Sequence, residues 1–198
     1  MAKEVMLERG FAFGMTNGTL RASLFEDDVR DTILNQLNVI TSIRNIQNVE
    51  RVRTRGIEFS ATASDAGVKG LDLTGNLTFT RPRILENAGD PLTVGKEWVR
   101  IPRVRLNLGA AYRPNDKWMA SLAVRHSGRK FANTDNSDTN PDTFGGVSAF
   151  TVWDAKATYR VARNVEASFG IDNLSDEKYY VFHPYPGRTF FGELRATF

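Results

Sequence analysis

Apolar and polar residues alternate with a period of two along most of the chain. Residues 103–113 show the pattern most clearly: Val104, Leu106, Leu108, Ala110 and Tyr112 occupy alternate positions, and the positions between them are polar or small. Side chains two residues apart in a strand share a face, so this segment predicts a strand with one apolar side. The same split recurs over residues 11–15, 20–24, 57–63, 71–79, 118–125, 153–160, 165–172 and 190–198. The sequence therefore predicts about nine strands, many longer than the roughly 5–6 residues usual in soluble proteins.

The links between these strands alternate between short and long. The short links are 17–18, 65–70, 114–117 and 163–164, and the long ones are 38–48, 86–98, 133–147 and 174–186. An up-and-down barrel places alternate links on opposite rims, and outer-membrane barrels have short turns on one rim and long loops on the other. We therefore expect an all-β protein of antiparallel, transmembrane β-barrel strands, with apolar faces towards lipid.

Aromatic residues support this prediction. Tyr112, Trp118 and Tyr159 lie on apolar faces close to the short turns, and Phe198 ends the chain on the same rim. Such rings favour the boundary between membrane and water, so they predict one aromatic girdle. Trp153 and Phe190 lie nearer the long links and are candidates for the second girdle. The alternative is that each ring belongs to the core of a soluble sandwich.

Composition excludes several classes of protein. Charged residues make up 25% of the chain, and no run approaches the roughly 20 apolar residues of a membrane helix. Lys and Arg number 26 against 23 Asp and Glu, spread along the chain, so we expect no nucleic-acid partner. The absence of cysteine excludes disulfides, thiolate zinc sites and a cysteine nucleophile. Residues 1–5 lack a signal-peptide pattern, so we expect a soluble protein or a fragment whose leader lies elsewhere.

Candidate chemistry is sparse. His126 and His183 have no neighbouring triad pattern, and a loop role is favoured over ligand contact. Asp138, Asn140 and Asp142 match the spacing of the first three oxygen ligands of a calcium loop. However, Thr143 stands where such a loop needs its turn glycine, and Ala149 stands where it needs its bidentate glutamate. A hydrated outer loop is the better interpretation. We assign no catalytic, cofactor-binding or metal residue, and expect that the chain is not an enzyme.

The predicted polar faces carry charges of both signs. These residues are Glu58, Asp72, Arg103, Arg105, Arg125, Asp154, Lys156, Arg160, Glu166, Glu193 and Arg195. In a barrel they face the lumen, where water and cross-strand partners satisfy them. In a soluble protein the same residues form the ordinary surface.

Motifs in the last third resemble a known family. Residues 164–174, NVEASFGIDNL, precede SDEKYY; PGRTF then opens a strand that ends in Phe198. This order resembles the C-terminal signature of TonB-dependent outer-membrane receptors. Residues 48–59, which include Arg55-Gly56-Ile57-Glu58, and residues 24–31 resemble two further strands of that family.

The resemblance implies a receptor in the outer membrane of a Gram-negative bacterium. Family members have about 22 strands around an N-terminal plug, so residues 1–198 are expected to form one barrel domain, a C-terminal part without the plug. The implied function is energised uptake of a scarce ligand, first of all a ferric siderophore, bound by the long loops. Implied partners are membrane lipid, TonB through the plug, and the barrel assembly machinery through Phe198; no cofactor is implied. The alternatives are a passive porin-like channel and a soluble all-β binding protein.

Overall fold

Nine strands form one antiparallel sheet in the computed structural model, which describes residues 3–37, 42 and 44–198. They are β1 (Lys3–Met15), β2 (Gly18–Leu37), β3 (Arg44–Ala63), β4 (Leu71–Glu86), β5 (Val104–Tyr112), β6 (Trp118–Ser127), β7 (Phe150–Ala162), β8 (Val165–Asp172) and β11 (Thr189–Ala196). Two short strands, β9 (Tyr180–Val181) and β10 (His183–Pro184), form a hairpin between β8 and β11. A 3-10 turn covers Pro91–Thr93.

Each strand of the large sheet pairs with its neighbour in chain order, so the sheet is an open meander with β1 and β11 at its edges. This arrangement confirms the predicted nine-strand, up-and-down topology and matches a partial barrel. The part of the chain that the structure describes contains no helix of the length and apolarity needed to cross a membrane.

The strand register places the predicted apolar residues on one continuous face. Leu108 pairs with Val124, and Leu122 with Ala155. Direct partners in an antiparallel pair share a face, so the apolar sides of neighbouring strands join. Phe11 is 85% exposed and Leu194 is 74% exposed. A soluble sandwich requires a second sheet over such a face, and among the described residues no second sheet covers it.

The hydrophobic core is correspondingly small. Val49, Val52 and Ile84 form a buried cluster near the long-loop end of β3 and β4, and Trp98 packs against it. An ordinary soluble domain of this length would bury many more large apolar side chains. The fold is held mainly by the hydrogen-bond ladders between strands.

The predicted link 38–48 was too long. Residues 44–48 belong to β3, where Arg44 pairs with Leu37 and Asn48 with Ile33. Residues 38–41 and 43 of the predicted link lie outside the described residues. The segment 44–48 carries no clear period-two signal, so only the pairing with β2 reveals that it is a strand. At 20 residues each, β2 and β3 exceed the roughly 9–11 residues that span a bilayer.

The predicted girdle residues lie at matching heights. Trp118 pairs with Tyr159, and their ring centroids are 4.6 Å apart at the short-turn end. Tyr112 pairs with Ala120 close by. Trp153 and Phe190 lie towards the opposite end, where they pair with Val124 and Ile171. These positions fit two aromatic belts at the two edges of an apolar band.

Candidate functional site

Three long loops lie on one rim of the sheet. They are the first loop (residues 87–103, after β4), the second loop (128–149, after β6) and the third loop (173–188, after β8). Alternate links of a meander share a rim, so the topology alone brings the three loops together. The link between β2 and β3 lies largely outside the described residues.

The first loop folds back on its own strand. The backbone N–H of Gly95 donates to the carbonyl of Ile84 at 2.8 Å, and the N–H of Ile84 donates to the carbonyl of Lys96 at 3.0 Å. Inside the loop the Asn87 amide donates to the hydroxyl of Thr93 at 2.8 Å, and Thr93 is fully buried. These bonds satisfy the backbone of a segment without regular structure and fix its path.

The first and second loops are joined by reciprocal hydrogen bonds. The side-chain oxygen of Asn136 accepts the N–H of Glu97 at 2.8 Å, and its amide nitrogen donates to the Glu97 carbonyl at 3.0 Å. The N–H of Arg100 donates to the carbonyl of Phe131 at 2.8 Å. The buried Glu97 carboxylate pairs with Arg103, the last residue of the first loop. Asn136 therefore holds two loops in one register.

The second and third loops are joined by a short antiparallel ladder. The N–H of Ser148 donates to the carbonyl of Tyr180 at 2.9 Å, and the N–H of Tyr180 donates to the Ser148 hydroxyl at 2.9 Å. Val147 and Val181 form a bridge between these contacts. The three described loops consequently form one connected layer rather than three independent segments.

A stack of aromatic rings lies under this layer. Tyr179 stacks on Phe150 with ring centroids 4.3 Å apart and on Tyr185 at 4.8 Å. Tyr179 is only 3% exposed, and burial raises the pKa of its phenol to about 12, so it stays neutral near pH 7. The ammonium group of Lys130 lies 5.9 Å from the centre of the Phe150 ring. The stack gives the loop layer a rigid floor.

Basic groups line the polar side of this rim. Arg100 and Arg105 line a cavity of about 240 Å³ together with Thr78 and Thr80. Burial, and then the charge of Arg105, lowers the pKa of Lys130 below its usual value. Within the described ranges no carboxylate lies within 4.0 Å of Arg100, Arg105 or Lys130. Cations without acidic partners, beside rigid aromatic rings, can bind an anionic ligand.

Further down the polar face, cations and carboxylates are paired. Arg125 donates to Asp154 at 3.0 Å, Lys156 to Glu193 at 2.8 Å, and Arg160 to Glu166 at 3.1 Å; Arg113 pairs with Asp72. These bonds cross between strands, as the sequence analysis expected for a face that looks into a lumen. Arg195, on the same polar face but near the short-turn end of β11, also has no carboxylate within 4.0 Å in the described residues. What distinguishes the cations of the loop rim is therefore their position beside the aromatic stack.

The residues that sequence analysis singled out lie apart. The His126 ring bonds to the Thr151 hydroxyl at 2.9 Å within the sheet, and His183 lies in the β9–β10 hairpin with its ring centroid 5.0 Å from that of Phe144. The Asp138 carboxylate accepts the N–H of Ala132, and Asn140 accepts that of Asp142. Across the described ranges, no three His, Asp or Glu side chains are close enough together to hold a metal ion.

The motif SDEKYY has a structural role that the sequence analysis missed. One oxygen of Asp176 accepts the N–H of Arg188 at 2.8 Å and the ammonium of Lys178 at 3.0 Å. Both bonds favour the charged form and lower the pKa of Asp176. Asn173 bonds twice to the backbone of Glu177, at 2.9 Å each. In the sequence these residues stand out only as part of the family motif. Their spacing alone does not predict the hydrogen bonds that they form.

A family model described as "TonB dependent receptor-like, beta-barrel" matches residues 4–174. No curated protein sequence matches the chain.

Solved structures share the fold at low identity. The ferric yersiniabactin uptake receptor FyuA from Yersinia pestis is 18% identical with a TM-score of 0.81; the match covers 100% of this chain and 30% of the receptor. The ferric citrate transporter FecA is 19% identical with a TM-score of 0.78, over 96% of this chain and 30% of FecA. The copper transporter OprC is 22% identical with a TM-score of 0.74, over 100% of this chain and 31% of OprC. The chain thus spans about a third of the length of each of these proteins.

Proposed function

Because this chain belongs to the family of TonB-dependent receptor β-barrels, we propose that it serves energised uptake of a scarce ligand across the outer membrane. The chain would form the C-terminal barrel part of such a receptor, with residues 1–198 acting as one barrel segment and carrying no enzymatic activity. The family is one of outer-membrane transporters, and the exposed apolar face of the sheet supports that location for this chain.

The ligand class we propose is an anionic metal chelate, first of all a ferric siderophore. The observation that carries this proposal is the group of Arg100, Arg105 and Lys130 beneath the loop layer, without acidic partners in the described residues. Iron(III) bound by hydroxamate, catecholate or carboxylate groups presents oxygen-rich, often anionic surfaces to such cations. Two proteins that share the fold of this chain, the ferric citrate transporter FecA and the ferric yersiniabactin uptake receptor FyuA, carry ligands of this chemical class.

The proposed partners each use a different part of the sheet. Lipid would cover the apolar face, and the ligand would enter between the long loops. A plug domain, through which TonB acts, would lie against the paired charges of the polar face. Phe198 is fully exposed and would be available to the barrel assembly machinery.

An uptake assay tests this function against its two alternatives. Cells that make the receptor carrying this chain are given a panel of ⁵⁵Fe-labelled chelates, with and without a protonophore. We expect uptake of one chelate class, abolished by the protonophore. Uptake that survives the protonophore would point instead to a passive channel. Recovery of the protein in the soluble fraction would favour a soluble binding protein.

A further inference from the structure

The outward face of the sheet changes abruptly from apolar to charged. The apolar band ends at a row of cross-strand partners that runs Arg9, Leu24, Ile57 and Phe79. The next row towards the long-loop rim is Leu7, Glu26, Arg55 and Arg81, and the row beyond it is Val5, Asp28, Arg53 and Arg83. All these positions share the outward face, because they follow the apolar residues at intervals of two.

One row further towards the rim, Lys3, Arg30, Arg51 and Glu86 are partners in the same way. The charged residues of these four rows form a band that we call the basic collar. Its cations are Lys3, Arg9, Arg30, Arg51, Arg53, Arg55, Arg81 and Arg83, and its anions are Glu26, Asp28 and Glu86. The anions are engaged inside the collar: Asp28 lies 2.8 Å from Arg51 and 2.7 Å from Arg53, and Glu26 lies 2.6 Å from Arg55. The collar therefore keeps a net positive charge that these ion pairs do not cancel.

Two arginines of the collar lie beside a concavity in the outward wall. Arg9 and Arg81 are exposed, and in the described ranges no carboxylate lies within 4.0 Å of either one. With Arg55 they flank a groove of about 720 Å³. The groove has an apolar floor made of Leu7, Leu24, Ile57 and Phe79. Two carboxylates also line the groove. Glu26 is paired with Arg55, and the side chain of Glu8 lies on the opposite, polar face of β1.

We propose that this groove binds a phosphorylated membrane lipid, with its phosphate between Arg9 and Arg81 and its acyl chains on the apolar floor. Guanidinium groups bind phosphate oxygens through paired N–H donors. The arginines therefore favour a lipid with a phosphate in its headgroup over a lipid with an uncharged headgroup. The floor continues without interruption into the lipid-facing band through Leu24, Ile57 and Phe79. A soluble anion would gain nothing from that floor, whereas an acyl chain gains burial along its length.

The site is separate from the proposed uptake route. It lies on the outward face, whereas Arg105 and the ion pairs of the lumen lie on the opposite face. The inference depends on the sheet spanning a membrane, but it does not depend on which ligand the receptor carries. Failure of lipid binding would therefore leave the uptake result untouched, and the reverse is also true.

Native mass spectrometry of the receptor carrying this chain, released from detergent, tests the proposal. The probes are phosphatidic acid, diacylglycerol with the same acyl chains, and inorganic phosphate. We expect phosphatidic acid to bind at least about tenfold more tightly than either of the other two. Equal binding of diacylglycerol would show that the arginines do not select a phosphate, and equal binding of inorganic phosphate would show that no lipid is recognised. Either result would overturn the proposal.

Variants locate the site. The double variant Arg9→Gln/Arg81→Gln should lose about tenfold in affinity for phosphatidic acid, because both guanidinium groups are removed. The matched control is Lys69→Gln/Lys117→Gln, which removes two cations at the short-turn rim and should bind as the unchanged protein does. Arg81→Lys, which keeps the charge but loses the paired donors, should fall between the two. Unchanged binding by the double variant, or an equal loss in the control, would refute the assignment.

Discussion

Phe191 covers Gly170 across the β8–β11 pair: the two residues are direct partners, and a Cβ on Gly170 would overlap the Phe191 ring. Phe25 covers Gly56 in the same way across β2 and β3. In both pairs the ring replaces the missing side chain and lies flat on a face that is otherwise polar. This is the known use of an aromatic residue to shield a glycine in a sheet.

The Phe191–Gly170 contact predicts that Gly170→Ala destabilises the sheet by about 1–3 kcal/mol, because the added methyl group must displace the ring. Urea unfolding of the folded receptor in lipid vesicles measures this change. Gly192→Ala is the control, since a Cβ there has only the Ser168 carbonyl nearby, at 3.9 Å. In the double variant Gly170→Ala/Phe191→Ala much of the penalty from Gly170→Ala should disappear. Additive losses would show that the ring and the glycine are independent.

Asn173 should be more sensitive to alanine than to glycine. Its backbone has φ of 52°, and its buried side chain bonds to the backbone of Glu177. Asn173→Gly loses the bonds but tolerates that φ, whereas Asn173→Ala loses the bonds and adds about 1 kcal/mol of backbone strain. Limited proteolysis of the third loop, with thermal unfolding in parallel, ranks the two variants. Equal sensitivity would show that the backbone angle contributes nothing.

Asp176 should stabilise the third loop in a pH-dependent way. Its folded pKa is lowered by the N–H of Arg188 and by Lys178, so its contribution is present above the unfolded pKa of about 3.9. That contribution falls as acidification protonates the folded carboxylate. The proteolysis rate of the unchanged loop should therefore approach that of Asp176→Asn as the pH drops below about 4, and stay lower at neutral pH. A constant difference between the two proteins across this range would contradict the role of the charge.

Lys130 should make ligand binding sensitive to alkaline pH. Burial and Arg105 lower its pKa, so it loses its proton at a lower pH than an exposed lysine does. Affinity for the chelate identified by uptake should fall as the pH rises through that lowered pKa, and Lys130→Arg should remove the dependence. Lys130→Gln should cost about tenfold in affinity at neutral pH. The control is Lys69→Gln, at the opposite rim, and an equal loss there would exclude a local effect.

Neighbouring positions on β6 should report opposite environments. The chain has no cysteine, so single Leu122→Cys and Ser121→Cys variants each carry a unique spin-label site. A label at residue 122 should collide mainly with dissolved oxygen, which is enriched in lipid, and a label at residue 121 mainly with a water-soluble nickel chelate. Burial of residue 122 away from both reagents would mean that protein, rather than lipid, covers the apolar face.

Much of the architecture was predictable because the pattern that encodes it is local. The alternation in residues 103–113 fixes which side of β5 is apolar without reference to any other strand, and the lengths of the links fix the order of turns and loops. The prediction failed where that local signal is weak: residues 44–48 are a strand because they pair with β2, not because of their own pattern. The candidate site was harder to predict, because Asn136 and Asp176 act through backbone groups distant in sequence.

The sequence by itself determined that this protein presents one apolar and one polar face over nine strands. Alternate side chains of a strand lie on opposite faces, so the composition of each face does not depend on which strands pair. Only the tertiary structure decided which charges meet. In the sequence Arg51, Arg53 and Arg55 alternate along one strand, but Arg9 and Arg81 lie tens of residues away from them. The register between β1, β2, β3 and β4 gathers Arg9, Arg55 and Arg81 around one groove, because strand pairing brings together positions separated by tens of residues.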